Sequence, residues 1–223
     1  GPSRPFDHAP SRFASLLRYA VGQAKMLTDV RPGLMHIAIC WGFLFLTIGP
    51  ADILTAGLVA ALLEWPVDGT VWAFIGLMQN VVAIIVLVAI AYALWRRLVS
   101  HPKRLTYTSD ALLILVLIAG IVAAEFMTMT FEAATVGDVP GAVVTNALAV
   151  PLAGVDSRVV GAALALSWWT HMILVMVFIV YLPFSKHLHI VTSFFNVYFR
   201  KLAPHGELPA MDLEREDQTF GAR

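Results

Sequence analysis

The chain has 223 residues, 59% of them hydrophobic and 13% charged, with a mean hydropathy of +0.77. A soluble domain carries roughly 25% charged residues, so the bulk of this protein belongs in lipid. Its formal net charge of zero gives nucleic acid no basic footprint. Its one cysteine, Cys40, excludes an internal disulfide framework, a Cys-ligated cluster or a zinc finger within these residues.

Residues 1–33 begin polar and become amphipathic. Phe13, Leu16, Leu17, Ala20, Val21, Ala24 and Leu27 recur at helical spacing, with Arg12, Arg18 and Lys25 on other faces. This pattern predicts a basic helix lying in the interface of an anionic leaflet or, alternatively, a soluble helix packed on a further domain, ended by Arg31-Pro32-Gly33. Residues 34–63 are mostly apolar, but as one helix they would run about 45 Å, too long for a ~30 Å hydrocarbon core. Gly49-Pro50 offers the break, so a first span is expected over about 34–48. Further spans are expected over 71–95, 110–131 and 160–184, with a short surface helix near 145–150. Residues 185–223 read as an aromatic, basic extension with an acidic tail. The fold expected is all-α and integral to the membrane: a four-helix transmembrane bundle, 34–184, with interfacial amphipathic helices.

Four spans put both termini on one side. All of the fifteen Lys and Arg except Arg158 then fall with the termini and the 96–109 loop, while Asp52, Glu64, Asp68, Asp138 and Asp156 face the other side. The positive-inside rule makes the termini cytoplasmic.

Imidazoles within spans need partners and are functional candidates. His36 opens the first span and His189 closes the fourth, at matched depth on two helices, so the pair could clamp one metal from opposite sides. Two neutral imidazoles on an iron porphyrin make a six-coordinate, low-spin centre suited to electron transfer. The alternative is a pair of interfacial histidines contacting headgroups. His171 and His189 are 18 residues apart, five helical turns and about 27 Å on an unbroken helix, which would place His187 on the opposite side. His171 lies in the outer half, where the first span has Leu46 rather than a facing histidine. Gln79, Asn80 and Glu125 gather at a similar depth, with Met78, Met127 and Met129 near. These groups fit three arrangements: a second haem ligated by His171 and another residue such as methionine, a quinone pocket, or a polar network that joins helices. An intramembrane Glu125 must be neutral or paired, and beside a quinone it would exchange the proton that accompanies quinone redox chemistry. No Walker A motif, G-x-G-x-x-G, nucleophile elbow or H-E-x-x-H is present.

The segment H-M-I-L-V-M-V-F-I-V-Y-L-P-F-S-K-H-L-H resembles the last span of the gamma subunit of respiratory nitrate reductase. That subunit has two histidines at this spacing around a P-F-S-R or P-F-S-K run. G-L-M-H-I-A-I-C-W-G-F resembles its span that opens on a haem-ligating histidine. R-P-F-D-H-A-P, V-G-Q-A-K-M-L, R-P-G-L-M-H, F-S-K-H-L-H-I-V-T-S and E-R-E-D-Q-T-F-G together resemble the membrane-bound iron–sulfur reductase family that includes electron-transfer-flavoprotein:menaquinone oxidoreductases. The resemblance implies haem b on His36 and His189, and a second haem at His171 or a quinone near it. It also implies a span before Phe6 and a cluster-bearing iron–sulfur domain after Arg223. Leu46 departs from the nitrate reductase pattern, which has a histidine there. The implied role is the cytochrome b-type part of a quinone oxidoreductase in the bacterial plasma membrane. Electrons would pass between a cytoplasmic iron–sulfur domain, fed by electron-transfer flavoprotein, and menaquinone. A haem-free anchor, or a proton-coupled transporter-like bundle using Glu125 and His171, are the competing readings; a homo-oligomer is compatible with each.

Overall fold

The computed structural model describes residues 7–46, 69–103, 105 and 107–202. They form seven α-helices joined by tighter turns, with no strand among the described residues: α1 (Ala9–Leu16), α2 (Val30–Leu46), α3 (Gly69–Trp95), α4 (Ser109–Val136), α5 (Val143–Ala149), α6 (Ser157–Tyr181) and α7 (His189–Tyr198). π-helical turns, Leu17–Val21 and Arg96–Ser100, extend α1 and α3.

At 1.5 Å per residue, α3, α4 and α6 run about 40, 42 and 38 Å, against a hydrocarbon core of ~30 Å. Three helices are therefore long and apolar enough to cross a membrane. Their sequences carry no polar stripe. Val86, Ile90, Ile118, Val122 and Phe178 are buried between helices, while Phe74, Val88, Val116, Leu166, Ile173 and Val180 point outward and are exposed. A helix apolar on all sides suits lipid on its outer face, and its backbone bonds are satisfied within the helix as lipid requires. α2 is a shorter apolar helix of 17 residues. The remainder of its apolar run and the expected break at Gly49-Pro50 lie outside the described residues.

The helices pack in chain order, α2 on α3, α3 on α4 and α4 on α6. Phe43 of α2 meets Phe178 of α6 with ring centroids 5.4 Å apart, which closes the bundle. A Cβ at Gly42 would overlap the Val86 side chain, so glycine lets α2 and α3 approach closely.

Two expectations are corrected. Trp168 to His189 is not one helix. Pro183 lacks the N–H a continuing helix needs. α6 stops at Tyr181, and two 3₁₀ turns, Leu182–Phe184 and Lys186–Leu188, flank an extended Ser185 (φ −107°, ψ 167°) whose hydroxyl accepts from the His187 N–H. Asp110 pins this corner to the start of α4, accepting from the Tyr181 hydroxyl (2.6 Å) and the Lys186 N–H (3.2 Å). The second correction concerns residues 9–28, which are interrupted rather than one continuous helix. α1 also turns its polar face inward. Arg12 is 1% exposed whereas Phe13 and Leu17 are exposed. The Arg12 guanidinium donates to the carbonyls of Asp7, Tyr198 and Arg200, the last two at the end of α7, and so ties the first helix to the last.

Candidate functional site

The break after α6 builds the site. His189 is the first residue of α7, so the corner swings it toward α2, where His36 lies on the second turn. The two rings have centroids 6.2 Å apart and planes at 45°. His187, which an unbroken helix would have sent to the far side, stands 5.6 Å from His189 and 5.9 Å from Phe178. Burial, with His189 and His36 close by, pushes the His187 imidazole down to about 4, so it is neutral at pH 7.

Each ligand candidate has one ring nitrogen occupied. Nδ1 of His36 donates to Oε1 of Gln23 at 3.0 Å, and Nδ1 of His189 donates to the Lys186 carbonyl at 2.6 Å. An N–H on Nδ1 leaves the Nε2 lone pair free, the arrangement metal-bound histidines adopt. With centroids 6.2 Å apart, His36 and His189 would be close enough to hold one ion between them.

The rings border a cavity of about 240 Å³ within a cleft of about 1110 Å³ of empty space, its open mouth included. Its walls are apolar, among them Ile39, Phe43, Ile114, Ile118 and Phe178, and its rim carries Arg96, Arg97 and Lys186. A flat apolar ring bearing carboxylates has matching surroundings here: hydrocarbon for the ring and cations for the acids. Among the described residues no three His, Cys, Asp or Glu side chains gather as a metal site. Two imidazoles alone would suit only a metal whose remaining positions come with its own macrocycle.

The outer candidates are arranged differently. His171 on α6 is 8% exposed, and its Nδ1 donates to the Ile121 carbonyl of α4 at 3.1 Å. Glu125 lies one turn further along α4 and is half-buried. Asn80 is fully buried and its carbonyl oxygen accepts from the Val144 N–H (3.1 Å), the Thr145 N–H (2.9 Å) and the Thr145 hydroxyl (3.3 Å). Asn80 thereby caps α5 from the neighbouring helix α3, supplying the acceptor its first N–H groups need. Gln79 is half-buried beside it. Leu46 is buried in the core. None of His171, Gln79, Asn80 or Glu125 lines the cavity beside His36 and His189.

Gln23 is the site residue the sequence reading passes over. It lies in V-G-Q-A-K-M-L, between the amphipathic helix and the first span, 13 positions before the ring it touches. The available signal was a polar residue directly after the glycine that ends a helix.

Among the described residues, fold and site together form a helical bundle with membrane-length helices that presents imidazoles in a cavity at one end. No family model and no solved structure matches the chain. It is similar to the "Probable iron-sulfur-binding oxidoreductase FadF" of Bacillus subtilis, 27% identical over 229 aligned positions that cover 100% of this chain and 32% of the relative. It is also similar to the "EtfAB:quinone oxidoreductase" of Syntrophomonas wolfei, 26% identical over 230 positions that cover 96% of this chain and 31% of the relative. The chain thus spans about a third of the length of the curated relatives it matches. Neither of these relatives is described as a nitrate reductase subunit.

Proposed function

We propose that this chain is the cytochrome b-type membrane part of a quinone oxidoreductase in the bacterial plasma membrane. It would link a cytoplasmic iron–sulfur donor, fed by electron-transfer flavoprotein, to menaquinone. The observation that carries the reading is the His36–His189 pair, with both Nδ1 atoms engaged and the rings 6.2 Å apart across one wall of the cavity. The relatives' printed names supply the oxidoreductase class, the iron–sulfur link and the quinone.

In this reading His36 and His189 hold haem b through Nε2, and Arg96, Arg97 and Lys186 meet its carboxylates. Bound there, the group supplies one-electron transfer from a low-spin centre. The chain's own residues do the rest. Gln23 and the Lys186 carbonyl orient the imidazoles. Ile39, Phe43, Ile114 and Phe178 keep water from the ring. At the outer end His171, Gln79 and Glu125 form the polar group that faces quinone, with Asn80 holding α5 over it; there Glu125 carries the proton that quinone chemistry exchanges. Four spans with both termini cytoplasmic complete the topology, the first being the expected 34–48 span to which α2 belongs. The test is a reduced-minus-oxidised spectrum of the full chain purified from haem-replete cells. An α-band at the b-type position is expected, and its complete absence would sink the proposal in favour of a haem-free anchor.

A further inference from the structure

We infer that Gln23 is a positioning residue for His36: its side-chain carbonyl fixes the imidazole in the tautomer whose Nε2 is free to bind metal. The importance of that tautomer rests on the proposed ligation, whereas the tautomer itself does not.

The backbone at Gln23 is the first observation. Its φ is +47°, in the left-handed region that favours glycine. Gly22 is next door, yet it adopts an ordinary φ of −75°. A chain that needed only a turn would put the left-handed conformation on the glycine. Here the strained position carries a long polar side chain, and that side chain is 7% exposed. Strain of this sort persists where surrounding contacts impose it.

Those contacts are present. The Trp41 Nε1–H donates to the Val21 carbonyl at 3.1 Å, and the Met26 N–H donates to the Gln23 carbonyl at 2.8 Å. A Cβ on Gly33 would overlap the Met26 carbonyl, so glycine lets the loop fold down onto the first turn of α2. The loop is fastened to α2 on both sides of Gln23, and its amide is held 3.0 Å from His36 Nδ1.

The chemistry of the contact is directional. An amide oxygen only accepts, so the ring nitrogen facing it carries the proton and the other keeps its lone pair. The Nδ1 atoms of His189 and His171 face backbone carbonyls, of Lys186 and Ile121. Of the three rings, only His36 rests on a side chain, so only there does a point substitution remove the acceptor.

The experiment uses the full chain labelled with ¹⁵N-histidine, the His36 resonances being those lost in His36→Ala. In haem-free protein, wild type and Gln23→Glu should show His36 protonated on Nδ1, and Gln23→Leu should move the proton toward Nε2. In haem-loaded protein, Gln23→Leu should weaken haem retention about 10–100-fold. Gln23→Glu, a stronger acceptor, should keep the haem and lower its midpoint potential relative to wild type. A wild-type His36 protonated on Nε2, or a proton that stays on Nδ1 in Gln23→Leu, would overturn the inference. A wild type that binds no haem would overturn the proposed function instead, and the nitrogen spectra would still decide the role of Gln23.

Discussion

The two ends of the bundle present histidines in opposite ways. At the His36–His189 end the rings come from different helices, border one cavity and have basic side chains beside them. At the His171 end a single imidazole is packed between α4 and α6 and holds a backbone carbonyl of the neighbouring helix. Burial alone therefore does not bring two rings together. His171 is the more buried ring, yet His36 and the exposed His189 have the paired geometry and the space. The difference comes from the backbone: the chain breaks at Pro183 and Ser185 before His189, whereas His171 sits mid-helix with its Nδ1 held by the Ile121 carbonyl.

Substituting the histidines tests that contrast most severely. His36→Ala or His189→Ala should each abolish the b-type difference spectrum, whereas His171→Ala should leave it. The reverse pattern would exchange the roles assigned to the two ends. Glu125→Gln should slow quinone reduction by the complete oxidoreductase by about 10²-fold or more with the haem spectrum unchanged. Equal loss of both signals would mean that Glu125 supports the fold rather than the quinone. Asn80→Ala strips the acceptor from one buried and one part-buried N–H of α5, at a cost of about 1–3 kcal/mol read in thermal unfolding, with haem at the other end retained. Ser167→Ala removes the inter-helix partner of Thr128, 3.1 Å away across α4 and α6, and leaves its bond to the Ala124 carbonyl. Mid-membrane bonds of this kind average about 0.6 kcal/mol, so the melting temperature should barely move.

The helices lie where the apolar runs are, because in lipid an apolar run has no alternative to internal backbone bonding. Pairing His36 with His189 also needed only matched depth on two helices. Three features were not readable. Helical periodicity extrapolated through Pro183 put His187 on the wrong side, since a local break resets the phase. The partners of Asn80 lie 64 and 65 positions away on α5, so its capping role has no local signature. The amphipathic pattern of residues 9–28 gave a face but not its direction. Arg12 turns inward to the carbonyls of Tyr198 and Arg200, which leaves Phe13 and Leu17 outward.

Low-temperature electron paramagnetic resonance of the oxidised, purified full chain tests the central claim most directly. Two imidazoles on one iron should give a low-spin ferric signal, replaced by a high-spin signal or lost with the haem in either His36→Ala or His189→Ala. A high-spin signal in the wild type, or a low-spin signal that survives both substitutions, would contradict the assignment of these two rings as a pair.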